Sequence, residues 1–406
     1  MLKPVSRGRG TSPLARGLLL LAACVALGAC SLFRPLPPAP PAIVAPPAPP
    51  PPPLAEPLAT HTFRYDPLRD DVVGQVQVTV AGPDDTLPEL ARRFNLGYEE
   101  IVRANPGVDP WLPGAGREIV LPTAFVLPDA PRTGVVVNIA AMRIYYFPKR
   151  EAGKPATVIT HPIGIGKVGW STPEGVTQIL SRVKDPVWTP PESVRREHLK
   201  DGDELPAQVP AGPDNPLGAY LFRLGWPSYL IHGTNKPYGV GMRSSHGCIR
   251  LYPEDIARFY DSIPVGTQVR VVNQPYVLGW RQEQLLLQAY GPLSDDNRDW
   301  DHGPQLLLKR ARGVHTPLWQ KIRAHATDID WEAARELGHS THGVPVSISR
   351  GSVETETAVI AGALKVRNAL PAGATWDGDL PSHGDEAQFQ SLLGAREPAA
   401  GRPGAR

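Results

Sequence analysis

Cysteine is scarce in this chain, with three in 406 residues, at positions 24, 30 and 248. Net charge is nearly absent too: 42 basic side chains against 40 acidic ones leave +2. Lys3, Arg7, Arg9 and Arg16 all fall within the first 29 residues, which hold no acid, so without those four charges the remainder stands near −2. No concentrated basic patch is present, which excludes a nucleic-acid partner. The apolar run Gly17–Leu27 is 11 residues long, well short of the ~20 that cross a bilayer. Neither His-Glu-x-x-His nor Cys-x-x-Cys spacing occurs, so the usual zinc signatures are missing. What the chain has in excess is proline, 48 residues, more than twice the ~5% of an average protein. At this length two or three domains are expected, separated by linker rather than sharing one core.

The basic start, the apolar run and the small residues Gly28-Ala29 before Cys30 form the pattern of a secretory signal over residues 1–29. Leu27-Gly28-Ala29-Cys30 resembles the lipobox of bacterial lipoproteins, although Gly28 departs from the commonest residue there. The resemblance implies cleavage before Cys30 and lipidation of its sulfur. Ser31, rather than Asp, is similar to lipoproteins sorted to the outer membrane, so a periplasmic, lipid-anchored, wall-associated location is expected. Cys24 then leaves with the signal and Cys30 carries lipid. Cys248 remains as the one free thiol, and a lone thiol in an oxidising compartment points to chemistry more than to an inert core cysteine.

Residues 30–76 read as a linker. From Pro35 to Pro57, 13 of 23 residues are proline; such a stretch adopts extended polyproline II and spans about 70 Å at roughly 3.1 Å per residue. Residues 77–122 read as a small βααβ unit. Val78-Thr79-Val80 is a strand, Thr86 caps a helix carrying Leu87, Leu90, Ala91 and Phe94 on one face, Ile101 and Ala104 belong to a second helix ended by Asn105-Pro106, and Ile119-Val120-Leu121 closes it. The order Asp85-Thr86-Leu87, Leu90-Ala91, Phe94, Ile101, Ala104-Asn105-Pro106, Leu112-Pro113-Gly114, Ile119-Val120-Leu121-Pro122 resembles a LysM module, which implies binding of the N-acetylglucosamine-containing glycan of cell walls. Pro83-Asp84-Asp85 departs from the family at the position that usually holds Gly before Asp.

Residues 133–273 read as a mainly-β domain with one or two helices, its strands near Val135–Ile139, Met142–Phe147, Thr157–Thr160, Val176–Val183, Tyr220–Leu224, Tyr229–Ile231 and Gln268–Val272. Pro253-Glu254-Asp255 starts its clearest helix, with Ile256, Phe259 and Tyr260 on one side. Residues 274–350 read as a helical extension, with helices at about Gln282–Tyr290 and Pro304–Arg312, and 351–406 as a disordered tail.

The chemistry concentrates in Ile231-His232-Gly233-Thr234-Asn235 and Ser244-Ser245-His246-Gly247-Cys248-Ile249-Arg250. A thiol of pKa ~8.5 needs an imidazole or a cation beside it to act as a nucleophile at neutral pH. His232 and His246 are both available. His232 ends an apolar strand, sixteen residues before Cys248, whereas His246 is tied to Cys248 by two residues of tight backbone. Gly247 permits unusual dihedrals, so the amides of Gly247 and Cys248 could converge on an oxyanion. Arg250 suits a substrate carboxylate, or equally a salt bridge that pins the loop.

His232-Gly233 followed by Ser245-His246-Gly247-Cys248-Ile249-Arg250 resembles the signature of the L,D-transpeptidase catalytic domain, and the likeness covers about Thr133–Asn273, including the turn Gly169-Trp170-Ser171-Thr172-Pro173-Glu174-Gly175. It implies a β-sandwich-like fold and a thioester acyl-enzyme on Cys248, with His232 as base, the Gly233 carbonyl orienting the imidazole, and His246 supporting the loop or the oxyanion. Ser245 and Arg250 are then substrate-binding residues. The implied reaction releases D-alanine from a peptidoglycan tetrapeptide stem and passes the acyl group to a second stem, giving 3–3 cross-links, to a wall-linked lipoprotein or to water, with no cofactor or metal. Three rivals are a zinc site of His232, His246 and Cys248, a papain-like endopeptidase, in which the Cys precedes the His along the chain, and a non-catalytic wall-binding tether.

Overall fold

Short runs of β-branched and aromatic residues dominate the chain, and the computed structural model is accordingly sheet-rich with few helices. It describes residues 53–376 apart from 152, 201, 301–302, 305–306, 308–315, 353 and 375. The signal segment, Cys30, the prolines up to Pro52 and the tail from 377 lie outside the described residues.

Strands β1 (Thr62–Tyr65) and β2 (Val72–Gly74) precede a small unit made of β3 (Gln77–Val80), α1 (Leu87–Arg93), α2 (Tyr98–Ala104) and β4 (Glu118–Leu121). The central part holds β5 (Ala124–Val126), β6 (Gly134–Asn138), β7 (Arg143–Phe147), β8 (Ala156–Pro162), β9 (Ile165–Gly166), β10 (Gly175–Lys184), α3 (Glu192–Lys200), β11 (Tyr220–Leu224), β12 (Leu230–His232), β13 (Arg243–Ser245), β14 (Ile249–Arg250), α4 (Pro253–Ser262) and β15 (Gln268–Val272). After it come β16 (Tyr276–Arg281), β17 (Gln284–Ala289), α5 (Pro317–Ala324), α6 (Trp331–Ser340), β18 (Val346–Ser347), α7 (Glu356–Ala361) and β19 (Leu364–Lys365).

The main sheet has nine strands in the order β1-β8-β7-β6-β15-β10-β11-β12-β14. Its neighbours run antiparallel except for β6 beside β15 and β12 beside β14. Period-2 alternation sends Val135, Val137 and Ile144 to one face, where they pack with Phe222, Ile231, Ile249, Ile256 and Phe259. Val136, Tyr145 and Phe147 point to the other face and meet Leu87, Leu90, Phe94, Ile101 and Ile119 of the small unit. The unit 77–121 therefore shares its core with the sheet.

Local signals explain the unit's own helices. Thr86 Oγ1 accepts from the Glu89 amide at 3.3 Å while the Glu89 carboxylate accepts from the Thr86 amide at 3.0 Å, a reciprocal capping box. A second carboxylate, Glu100, accepts from the Gly97 amide at 2.7 Å. The same Glu100 also receives Arg143 from β7 through two bonds of 2.7 and 2.9 Å, and Arg143 is fully buried, 3.9 Å above the Phe125 ring. A charged residue at the start of an apolar strand is thus matched by one acid on a different element.

The small unit also grips the chain on both sides of residue 248. The amides of Tyr98 and Glu99 donate to the carbonyls of Val240 and Gly241 at 3.3 and 3.1 Å. A Cβ on Gly97 would lie 2.6 Å from the Gly241 Cα, so the two backbones meet where only glycine fits. Beyond residue 248, Tyr252 Oη donates to the Leu96 carbonyl at 3.2 Å and Arg92 forks onto Glu254 with two bonds of 2.8 Å.

Four expectations are overturned. Residues 54–76 are not linker: β1 lies at the sheet edge with Thr62 opposite Ile159, and β2 pairs with β5. Gln282–Tyr290 is not a helix. Its Leu285-Leu286-Leu287 run forms β17, which folds back on β16 around Gln282 at φ 56° and also pairs with β18. The stretch 274–350 is therefore a three-stranded sheet covered by α5 and α6, with Trp280, Leu285, Trp319 and Ile322 in its core, instead of a helical extension. The helix expected at Pro304–Arg312 falls almost wholly outside the described residues. Finally, part of the expected disordered tail is ordered: α7 forms, β19 pairs parallel with β3, and Val366 is buried in the core of the small unit.

Candidate active site

The site is built by the parallel pairing of β12 and β14, which puts Ile231 opposite Ile249 and His232 opposite Arg250. In adjacent strands, residues in register point the same way and successive residues alternate. Ile231 and Ile249 face the core, each 1% exposed. His232, Arg250, Cys248 and Leu230 consequently share the opposite face, and all four line one cavity of about 570 Å³. The crossover that a parallel pair requires is supplied by residues 233–248. This is how sixteen residues of separation become proximity.

His232 is buried, and its Nδ1 lies 2.6 Å from the Gly233 carbonyl. A carbonyl can only accept, so the proton sits on Nδ1 and Nε2 carries the lone pair. Burial, with the nearby Arg250 cation second, pushes the imidazole pKa down to about 3. Cys248 is half-buried, with Sγ 3.6 Å from the Ser228 carbonyl. Burial pushes its thiol pKa up, opposed by a backbone interaction at Leu230 and by the charge of Arg250. The resting pair is therefore a neutral thiol and a neutral imidazole.

The loop between β13 and β14 is fixed from several directions. Ser245 Oγ donates to the Cys248 carbonyl at 2.5 Å and so closes the loop, while the residue also lines the cavity. Thr172 Oγ1 donates to the Gly247 carbonyl at 2.9 Å and accepts from the Gly166 amide at 3.1 Å. Gly247 has φ 98°, and a Cβ there would come within 2.9 Å of the Tyr229 ring. Among the described residues the amides of Gly247 and Cys248 donate to no carbonyl. They are available to a developing negative charge.

His246 is held differently from His232: its Nε2 lies 2.5 Å from Glu197 Oε2 and its ring meets Trp170 edge-on at 4.8 Å. Burial lowers its pKa, and the Glu197 bond opposes that shift. Arg250 is half-buried; its nearest bond is Nη1 to Ser244 Oγ at 3.4 Å, its enclosed Nε has no partner, and no carboxylate pairs with it among the described residues. This favours anion holding over a loop-pinning salt bridge. Among the described residues no group of three His, Cys, Asp or Glu side chains is placed to hold a metal.

The opposite wall of the cavity was not legible as a site. It comes from residues 185–219 between β10 and β11, which contribute Val187, Trp188, Pro191, Val194 and Leu217. Glu197 and Thr172 join the constellation from 51 and 76 residues before Cys248; Thr172 belongs to the Gly169–Gly175 turn that shares in the motif likeness, whereas no local pattern marks Glu197. The Pro190-Pro191-Glu192 start of α3 was the one available hint of the helix that carries Glu197.

A family model of the L,D-transpeptidase catalytic domain, YkuD, matches residues 132–271. The chain is 39% identical over 287 residues to "Probable L,D-transpeptidase ErfK/SrfK" of Salmonella typhimurium (strain LT2), covering 69% of this chain and 88% of the relative. It is 38% identical over 298 residues to the protein of the same name in Escherichia coli (strain K12), covering 72% and 92%. With "Probable L,D-transpeptidase YcfS" of Escherichia coli (strain K12) it shares 36% over 310 residues, covering 75% and 93%. These likenesses extend well past the 140 residues of the matched domain, in keeping with a core shared between that domain and its flanks.

Proposed function

From the premise that the chain belongs to the L,D-transpeptidase family, we propose that Cys248 and His232 carry the reaction through a thioester on peptidoglycan tetrapeptide stems. The observation that supports this best is that His232, at the end of β12, and Cys248, immediately before the parallel neighbour β14, line one cavity, with Nδ1 of His232 committed to Gly233. In this reading the thiol approaches the carbonyl of diaminopimelate and Nε2 of His232 takes its proton as the C–S bond forms. The amides of Gly247 and Cys248 hold the oxyanion. Collapse breaks the bond to D-alanine, whose nitrogen receives the proton from Nε2. An acceptor amine then loses its proton to His232, attacks the thioester and releases the thiol. Arg250 holds a carboxylate of the stem. His246 and Ser245 keep the loop in place, and Gly233 orients the base.

The acceptor is a second diaminopimelate, giving 3–3 cross-links, or a lysine of a wall-linked lipoprotein, with water as a minor competitor. The LysM-like unit holds wall glycan beside the cavity. Cys30, lipidated, anchors the chain to the outer membrane from the periplasmic side, with the proline-rich stretch as spacer.

The test is intact-mass spectrometry after exposure to a carbapenem, followed by analysis of wall fragments. One adduct is expected on the wild type, none on Cys248→Ala, and accumulation slowed by about 10²–10⁴-fold in His232→Ala. Unchanged 3–3 cross-links and unchanged lipoprotein attachment in cells carrying Cys248→Ala would leave only the non-catalytic tether.

A further inference from the structure

Helix α3 is poorly anchored by apolar contact. Val194 is its buried side chain, whereas Leu199 is 63% exposed and most of the other positions face solvent. The 185–219 segment holds itself together elsewhere: the amides and carbonyls of Trp188 and Val209 pair with each other, and the buried Asn215 side chain donates to the carbonyls of Pro186, Val209 and Pro210. Among the described residues the hydrogen-bonded tie of α3 to the rest of the domain is Glu197, beside which the His198 ring lies 6.2 Å from the His246 ring. One of the Glu197 oxygens takes Lys167 Nζ at 2.7 Å, from the loop after β9, and the other takes His246 Nε2 at 2.5 Å. Other ion pairs of α3 among the described residues, Arg196 with Glu192 and His198 with Asp203, stay inside the segment.

This junction has two ends. On the α3 side, Ser193 and Val194, one turn before Glu197, line the cavity opposite Cys248. On the other side, His246 immediately precedes Gly247 and Cys248, whose amides donate to no carbonyl among the described residues. Trp170, packed on the His246 ring, lines the same cavity; its carbonyl lies so close to Gly166 that a Cβ there would collide with it, and it stays within van der Waals reach of Gly247. A shift of the His246 ring would therefore move the loop that presents the nucleophile.

We infer that Glu197 is a positioning residue of the reaction: it latches the 185–219 wall over Cys248 and, through His246, holds the Gly247–Cys248 amides in the geometry that receives the oxyanion. Lys167 completes the latch by neutralising the carboxylate. The inference rests on Cys248 being the nucleophile.

The experiment uses the full chain and a carbapenem as the acylating probe, followed by the fluorescence of Trp170 and Trp188, which line the cavity. Glu197→Gln, His246→Gln and the double variant are compared for limiting acylation rate and half-saturating probe concentration. Glu197→Gln is expected to lower the limiting rate about tenfold, the scale of one lost charge-assisted hydrogen bond. Half-saturation should move less than about threefold. In the His246→Gln background the second substitution should change the rate less than about twofold, because its route to the loop is already gone. A wild-type rate in Glu197→Gln, or a full tenfold loss in the His246→Gln background, overturns the inference. Absence of any adduct on the wild type would instead defeat the assignment of Cys248, so the two failures are distinct.

Discussion

Lowering the pH of the acylation reaction from 8 to 5 should leave its rate constant almost unchanged. An ordinary histidine with pKa ~6.5 is about 3% neutral at pH 5, so a base of that kind would slow the reaction roughly 30-fold. His232 is buried beside Arg250, with its pKa pushed down to about 3. At pH 5 it is therefore still neutral in about 99% of molecules, and the expected change is less than twofold. The Glu197 carboxyl is held below its ordinary value because its bonds to Lys167 and His246 outweigh its burial, so the carboxylate of the latch stays charged over the same range. On the alkaline side, burial raises the Cys248 pKa, and the thiolate remains a minor species at pH 8. The assay is stopped-flow fluorescence with a carbapenem at constant ionic strength, with the acylated fraction checked by intact mass. A rate that falls to half near pH 6.5 would refute the argument, because it would mean that burial does not keep the base neutral. The stability sign follows from the same burial. Below pH 6.5 the unfolded chain binds a proton at His232 that the folded chain refuses, so stability falls as pH drops from about 6.5 towards 3.

Other consequences are open to direct measurement. Glu100→Gln leaves Arg143 buried without its acid and should cost about 3–5 kcal/mol in urea denaturation; a change below about 1 kcal/mol would show that the cation finds other compensation. Gly247→Ala must carry a Cβ at φ 98° against the Tyr229 ring, and should slow acylation by about 10²-fold with little change in the thermal midpoint. His61 is buried with neither ring nitrogen bonded to a side chain among the described residues, and burial followed by the charge of Arg258 lowers its pKa to about 4. Stability is thus lost as pH falls from 6.5 to 4, and His61→Phe should flatten that part of the pH profile of unfolding free energy, read by urea denaturation, by roughly 3 kcal/mol. Deleting residues 77–122 should yield insoluble protein and not a free catalytic domain, since Val136, Tyr145 and Phe147 would lose their cover; soluble, active material on gel filtration would disprove the shared core.

Much of the local structure could be read along the chain because it depends on neighbours a few residues apart. Thr86 and Glu89 announce a capping box, and Pro253-Glu254-Asp255 announces a helix start. Alternation in Ile231-His232 and Cys248-Ile249-Arg250 already separates core-facing from outward side chains. Where a segment has no period of its own, the surroundings decide. Leu285-Leu286-Leu287 reads equally as helix or strand until β16 and β18 offer backbone partners on both sides. Residues 62–65 and 364–365 are too short and too mixed to declare themselves, and became strands because β8 and β3 left an edge unpaired.

The site divides along the same line. Its reactive residue types and the likeness of its motif were carried by the sequence, through the cysteine at 248 and a histidine at a strand end. That His232 is neutral, that Arg250 meets no acid among the described residues, and that Glu197 reaches His246 across 49 residues are products of tertiary packing alone. Burial, electrostatic field and long-range contact depend on which elements are stacked over one another, and those distances are not functions of separation along the chain.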